Sequence, residues 1–477
     1  MAFVIALLSV MVRILALTIR ECQCLKVHAL FEPSFLSIRY NATDFTVFGV
    51  GMASATLKQG TSTRRILLGS LVGTTIEFFD FYIYANAAVL VFPALFFPSE
   101  NPTSAMLQSF ATFAVAFFAR PVGSALFGHF GDRVGRKATL VAALMTMGLS
   151  TVAIGLLPTY ASIGVLAPVL LTLCRFGQGL GLGGEWGGAV LLATENAPPN
   201  KRAWYGMFPQ LGAPIGFLMS GGIFLWLSET LTNEQFFDYG WRIPFIASTL
   251  LVLVGLYVRL NITETPAFLA SLKENKRVEM PAVAVFRDYG RSLFIGTFIA
   301  LATFVLFYLM TVFTLSWATS NLGFSRHDFL LMQLFAVLFF GCAIPVSALL
   351  ADRFGRQKIL MLASIAIAVF GLSFGLLFGS GNFAQVTMFL CLGLGLMGMT
   401  YGPLGTALSG LFPTEVRYTG ASLTFNLAGI LGASFAPFIA TWLAANHGLQ
   451  YVGYYLTASA LLTLLALLFN RAHQEVI

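Results

Sequence analysis

The chain has 477 residues, 57% of them hydrophobic and only 10% charged, whereas soluble domains carry about 25% charged residues. A composition this apolar cannot clothe a soluble fold of such length, and a bilayer is the solvent that matches it. The net charge of +7 could suggest nucleic acid, but the basic residues fall in short segments between apolar blocks, as in membrane proteins.

The first 51 residues differ in character from the rest of the chain. Met1 to Ile19 is apolar but interrupted by Arg13, and it lacks the basic start of a secretory signal. The expectation is that Met52 is the natural start or that the extension 1–51 is dispensable. Apolar blocks long enough to span a bilayer then fall at 66–95, 107–130, 138–157, 163–194, 203–228 and 242–260. Six more lie at 291–317, 327–350, 358–378, 384–410, 419–443 and 449–469. Residues 52–260 thus read as an N-terminal six-helix bundle, 261–290 as a cytoplasmic central loop and 291–477 as a C-terminal six-helix bundle. The fold class is an all-α polytopic membrane protein with 12 spans. The 47 Phe and 46 Gly agree: bulky side chains face lipid, and small ones let helices approach closely.

Loop charge sets the orientation. One side collects Lys58, Arg64, Arg65, Arg133, Arg136, Lys137, Lys201, Arg202, Arg259, Lys273, Lys276, Arg277, Arg287, Arg291, Arg353, Arg356, Lys358, Arg417 and Arg471. The other has only Arg242 and Arg326. That bias places both ends of the 12-helix unit in the cytoplasm. A repeat divides the chain at the same point. Gly128-His-Phe-Gly-Asp132-Arg133-Val-Gly135-Arg136-Lys137 joins the second and third blocks, and Ala348-Leu-Leu-Ala-Asp352-Arg353-Phe-Gly355-Arg356-Gln357 joins the eighth and ninth. Two similar bundles are the architecture of many secondary transporters.

The doubled loop resembles the signature of the major facilitator superfamily. Four segments resemble its metabolite–proton symporter family: Gly73-Thr-Thr-Ile-Glu77-Phe-Phe-Asp80-Phe-Tyr82, Arg175-Phe-Gly-Gln178-Gly179 through Gly184-Glu185-Trp186-Gly187-Gly188, Gly240-Trp-Arg242-Ile-Pro-Phe245, and Phe412-Pro413-Thr-Glu415-Val-Arg417-Tyr-Thr-Gly420. The likeness runs from about Arg65 to the C-terminus and is strongest to bacterial inner-membrane metabolite transporters. Shikimate, 2-oxoglutarate, citrate and proline/betaine carriers are more distant. The resemblance implies the major facilitator fold, a small-molecule substrate moved with protons, lipid surroundings in a bacterial inner membrane, and a bundle able to function as a monomer.

Ionisable groups at bilayer depth are costly and mark function. Glu77 and Asp80 lie in the first span, Arg120 in the second, and Arg175 and Glu185 in the fourth, with Gln178 beside Arg175. At 1.5 Å per residue, Glu77 lies about 18 Å from Arg65 and can meet Arg120 near the midplane. Glu77 and Asp80 are i and i+3, on one helix face. Close carboxylates in low dielectric raise one another's proton affinity. Three acids against two arginines could leave one carboxylate free to carry a proton; a static ion network is the alternative. Arg120 or Arg175 offers a bidentate fork for a substrate carboxylate, or else pairs permanently with the acids. The second half offers Tyr308, Thr311, Gln333, Tyr401 and Asn426 instead. Glycines at 177, 181, 184 and 188 read as close helix packing.

The repeated loops suggest a conformational latch formed by Gly128, Asp132, Arg133, Gly135, Arg136 and Lys137 with Asp352, Arg353, Gly355 and Arg356. Asp132 can sit at a facing helix N-terminus, and Arg136 can pair with Glu195. Glu415 and Arg417 hold the corresponding place in the second half. The resemblance implies that such contacts hold the outward-open state. The second loop departs from the pattern, with Ala348 for the leading Gly and Gln357 for Lys, so the gating role carries over less fully there. An inert solvated turn is the alternative.

No HExxH pair or phosphate-binding Gly-x-x-x-x-Gly-Lys-Ser/Thr loop occurs, so the reading is of a transporter and not an enzyme, with no cofactor and no metal. The five histidines are scattered, and the five cysteines make no disulfide framework. A proton-independent facilitator or exchanger is the competing transport reading.

Overall fold

The computed structural model describes residues 63–133, 136–260 and 281–470, apart from the side chains of Thr63, Arg65, Pro102, Thr103 and 131–137. The extension 1–51 and the start at Met52 lie outside the described residues, as do Gly135 and the side chains of Asp132, Arg133, Arg136 and Lys137. The described chain is helical with no strand. A helix satisfies every backbone polar group within one segment, which is what a hydrocarbon environment demands.

The N-terminal bundle holds α1 (Thr63–Leu90), α2 (Pro102–Arg133), α3 (Arg136–Gly155), α4 (Leu166–Thr194), α5 (Arg202–Thr230) and α6 (Arg242–Leu260). In the C-terminal bundle, α7 (Gly290–Tyr308) continues through a π-helical turn, Leu309–Phe313, into Thr314–Asn321. Next come α8 (Arg326–Phe354), α9 (Arg356–Leu372) and α10 (Phe383–Ser409). The span α11 (Arg417–Gly429) passes through a second π turn, Ile430–Ser434, into Ala436–His447, and α12 (Leu449–Phe469) closes the bundle.

Eleven of these are long and apolar enough to cross a membrane. The ninth expected span is broken instead. Its 17-residue helix α9 ends where the Ser373 hydroxyl donates to the Phe370 carbonyl at 2.7 Å, and Phe374–Leu377 continues it. The first span is likewise shorter than expected, ending at Leu90, because Pro93 restarts a separate turn, Phe92–Leu95.

Each half repeats the same neighbours. Helices α2 and α4 pack together, as do α8 and α10; α3 packs on α6 and α9 on α12; α1 packs on α5 and α7 on α11. The halves then meet along two related seams, α5 with α8 and α2 with α11. This is the two-bundle, all-α architecture that the repeat implied. Gly355 turns the chain between α8 and α9 at φ 94°, a left-handed conformation that favours glycine. The central loop is not wholly irregular. Pro281–Asp288 forms a helix, and its Ala284 and Val285 join Leu293, Phe412, Val416 and Leu423 in a small apolar cluster. Large apolar side chains such as Leu250, Tyr257, Phe294 and Leu376 stand exposed on the outer surface, where a bilayer would cover them.

Candidate functional site

Six acidic and basic side chains are buried in the N-terminal bundle among the described residues: Glu77, Asp80, Arg120, Arg175, Glu185 and Arg259. By sequence position Arg259 belongs with the loop charges. It lies instead on the buried stripe of α6, in line with Ser248, Val252 and Gly255. Acids and arginines therefore balance three against three, not three against two. Among the described residues, the one ion pair within 4 Å in this group is Arg259 Nη2 with Glu185 Oε1. The other four charges are held differently.

Arg175 faces the interior of its own bundle. Its Nη1 donates to Gln178 Oε1 at 2.9 Å, and Gln178 Nε2 donates to Thr151 Oγ1 at 2.7 Å. Its guanidinium lies 3.9 Å from the ring centre of Tyr84, 4.7 Å from Phe81 and 5.0 Å from Phe113. A desolvated cation over an aromatic face gains about 2 kcal/mol, so these rings replace the counter-ion that Arg175 lacks. Thr151 and Ser248 flank the carboxyl of Asp80, yet neither carboxylate oxygen completes a hydrogen bond. A relay from Arg175 through Gln178 and Thr151 therefore ends beside an acid with no cation of its own.

Arg120 points elsewhere. Its guanidinium lies 4.6 Å from the Phe81 ring centre and 4.8 Å from Phe117. It also lines a cavity of about 20 Å³ between the bundles, with Tyr82 from α1, Phe307 and Tyr308 from α7, and Tyr401 from α10. A second cavity of about 10 Å³ lies nearby, lined by Tyr82, Asn86, Tyr308 and Thr311. Each has room for little more than a water molecule. Glu77 sits within the fields of Arg120 and Arg259, and its Oε2 is buried without a hydrogen bond. Although Glu77 and Asp80 are three residues apart, Glu77 looks toward two arginines and Asp80 toward two hydroxyls.

The second-half polar residues divide as well. Tyr308 and Tyr401 line the cavity. Gln333 donates to the carbonyls of Met310 and Thr311 at 3.1 and 2.8 Å, bracing the π turn of α7. Thr311 donates to the Phe307 carbonyl at 2.7 Å. Asn426 crosses to the other bundle, donating to Ser124 Oγ at 2.7 Å.

The bundles close on one another around this centre. Trp186 stacks on Phe425 with ring centres 3.7 Å apart. Trp186 also donates to Gln210, whose amide donates to the Tyr401 carbonyl, both at 3.0 Å. The Tyr418 hydroxyl donates to the Gly184 carbonyl. Gly187 faces the Ser422 side chain with no room for a methyl group, and Thr419 Oγ1 stands 2.8 Å from where a β-carbon on Gly128 would lie. The α4 glycines are thus places of close approach, within the bundle and across it.

At the end that carries the repeated loops, the two oxygens of Asp352 accept the backbone N–H groups of Ala203 and Trp204, each at 2.9 Å. These are among the first residues of α5, so an acid of one bundle caps a helix of the other. Arg356 donates to the Thr406 carbonyl at 2.9 Å and Arg417 to the Phe412 carbonyl at 3.0 Å. Arg353 is exposed, lying 5.2 Å from the ring centre of Phe354. Glu195, Arg202, Arg356 and Arg417 line a cavity of about 190 Å³ between the bundles, and Glu415 is half-buried in the turn before α11. At the opposite end, His327 Nε2 lies 2.8 Å from Glu229 Oε1, joining α8 to α5. Contacts at both ends leave the centre enclosed.

The Major Facilitator Superfamily model matches residues 70–431. The inner membrane metabolite transport protein YhjE of Escherichia coli K12 is 60% identical over 87% of this chain and 96% of its own length. The shikimate transporter of the same strain is 36% identical over 86% of this chain and 95% of its own. Its proline/betaine transporter is 32% identical over 84% and 82%. Among solved structures, the proton:xylose symporter XylE matches with a TM-score of 0.67 over 85% of this chain and 94% of its own, at 19% identity, a likeness of fold.

Proposed function

We propose that this chain, which belongs to the major facilitator superfamily of metabolite transporters, carries a small organic acid or zwitterion by proton symport with alternating access. The supporting observation is Arg120 in a cavity shared by both bundles, within the field of Glu77, whose carboxyl, like that of Asp80 three residues on, holds no ion pair within 4 Å among the described residues.

A substrate carboxylate can take the bidentate face of Arg120, while the hydroxyls of Tyr82, Tyr308 and Tyr401 offer donors and acceptors around it. Arg175 lies inside the N-terminal bundle among Tyr84, Phe81 and Phe113, which suits it to organising Asp80 through Gln178 and Thr151. Glu77 and Asp80 are the proton carriers in this reading. Protonation at these carboxyls changes the charge balance of the dry centre, which biases the bundles between closing around a loaded and around an empty site. The site then opens alternately at the two ends. Asp352 at the N-terminus of α5 closes one of them; Arg356, Glu195 and Arg417 line the cavity at that end, and Glu415 precedes α11. By the repeat, Asp132 and Arg136 are the counterparts of Asp352 and Arg356 in the first half of the chain. The protein resides in a bacterial inner membrane as a monomer, with the repeated loops cytoplasmic.

The test is uptake into proteoliposomes under an imposed pH gradient, with radiolabelled shikimate, 2-oxoglutarate, citrate, proline and betaine as probes. At least one probe should accumulate, and a protonophore should abolish the accumulation. Uptake of a probe that a protonophore leaves unchanged would identify a facilitator or exchanger instead.

A further inference from the structure

Arg259 handles neither substrate nor proton in the proposed cycle, yet it is the most heavily engaged of the buried arginines. Its Nη2 pairs with Glu185 on α4, and its Nη1 donates to the Leu140 carbonyl on α3 at 2.5 Å. Nη2 also rests on α1 at Gly73: a β-carbon there would meet it at 2.9 Å. Gly73 and Glu77 are i and i+4, so they share a helix face one turn apart. The guanidinium therefore lies against α1 just below Glu77, and its field acts on that carboxyl. One cation serves two carboxylates, and Glu185 Oε2 is left without a hydrogen bond.

Glu185 is also next to the seam between the bundles. Gly184, which precedes it, accepts the Tyr418 hydroxyl from α11, and Trp186, on its other side in the chain, stacks on Phe425. The ion pair stands directly behind these contacts. Around Glu77, the other ionisable groups are Arg120 on α2, Tyr82 on its own helix and Tyr401 on α10. Helix α5, packed along α1, presents none between Tyr205 and Glu229.

We propose that Arg259 is the positioning residue that links the proton on Glu77 to the seam: one guanidinium shared by Glu77 and Glu185, divided according to whether Glu77 is protonated. A proton taken by the Glu77 carboxylate ends its hold on Arg259, which then turns wholly to Glu185 and fixes Gly184 and Trp186 for Tyr418 and Phe425. Release of that proton draws Arg259 back toward α1 and loosens the seam. The inference rests on the proposal that Glu77 carries a proton.

The charges dictate shifts of opposite sign. A cation within about 4–6 Å shifts a carboxyl's titration by about 1–3 pH units. Arg259→Gln removes a cation from Glu77, so its protonation should move to higher pH. Glu185→Gln removes the competitor and a negative charge, so it should move to lower pH. The readout is the distance between spin labels on Asn200→Cys and Lys358→Cys, both exposed at the repeated-loop end, in full-length protein in liposomes with the native cysteines replaced, from pH 5 to pH 9. Against the parent, Arg259→Gln and Glu185→Gln should each shrink the pH-dependent change in distance at least twofold, because the route from Glu77 to the seam is cut, with the midpoint of what remains moved up in the first and down in the second by about one pH unit or more; Arg259→Lys should keep both. Loss of packing alone gives no such opposed pair of midpoints, and if Arg259→Gln does not fold, the near-isosteric Glu185→Gln carries the test. Variants whose change in distance and midpoint both match the parent would overturn the role of Arg259. A parent distance that ignores pH would overturn the protonation reading itself.

Discussion

Asp352 allows a quantitative test of how the bundles hold together. Each of its oxygens accepts one backbone N–H of α5 at 2.9 Å, across the bundle interface. A hydrogen bond to a charged group contributes about 1.5–3 kcal/mol, and a negative charge at a helix N-terminus about 0.3–1 kcal/mol. Asp352 is half-buried, so water recovers part of the loss when the contact opens, and the lower end applies: about 2 kcal/mol for the whole contact. Asp352→Ala should therefore raise the open-to-closed ratio at the repeated-loop end by about 30-fold, at about 1.4 kcal/mol per tenfold. Asp352→Asn keeps the shape and one acceptor oxygen but loses the charge, and should raise it about fivefold, for about 1 kcal/mol. Spin-label distances between positions 200 and 358 report both ratios directly. If Asp352→Ala leaves the distribution within twofold of the parent, the contact does not hold the bundles and the cap is incidental.

Three other outcomes are expected at the site. Asp80→Asn, which neutralises an acid with neither cation nor hydrogen bond, should abolish accumulation under a pH gradient but leave counterflow exchange, as measured in proteoliposomes. Arg120→Lys should raise the KM of a carboxylate probe about tenfold by removing the bidentate fork, with kcat affected less. Gly183→Ala, whose methyl would run into the Arg120 carbonyl, should cost about 1–3 kcal/mol as overpacking between α2 and α4, read as a lower Tm in detergent.

The spans and the repeat are legible in the sequence because apolar length and doubled charge patterns need no tertiary information. The buried acids are legible for a similar reason: Glu77, Asp80 and Glu185 interrupt long apolar runs. Arg259 escapes notice because it stands one residue from the end of α6, where a basic residue normally belongs to a loop. Its signal is periodic: Ser248, Val252, Gly255 and Arg259 recur at helical spacing on one buried face. Charge counting ignores which face a residue occupies.

The second repeated loop shows the reverse. Its departures from the pattern make Asp352 the weaker candidate by sequence, yet Ala348 is simply buried in α8, and Gln357 donates to the Leu467 carbonyl at the end of α12 at 2.6 Å. Neither change touches the carboxylate. The break at Ser373 and the π turn of α7 have side chains bonded into the local backbone, as Ser373 is to Phe370 and Gln333 to Met310 and Thr311. Hydropathy carries no trace of them.

Proton movement itself can be tracked most directly with a pH-sensitive dye sealed inside proteoliposomes at equal pH on both sides. Adding the transported probe outside should acidify the lumen in step with its entry, and Asp80→Asn should let the probe exchange without that acidification. A probe that enters while the lumen pH stays constant would contradict the claim that this chain ties cargo to protons.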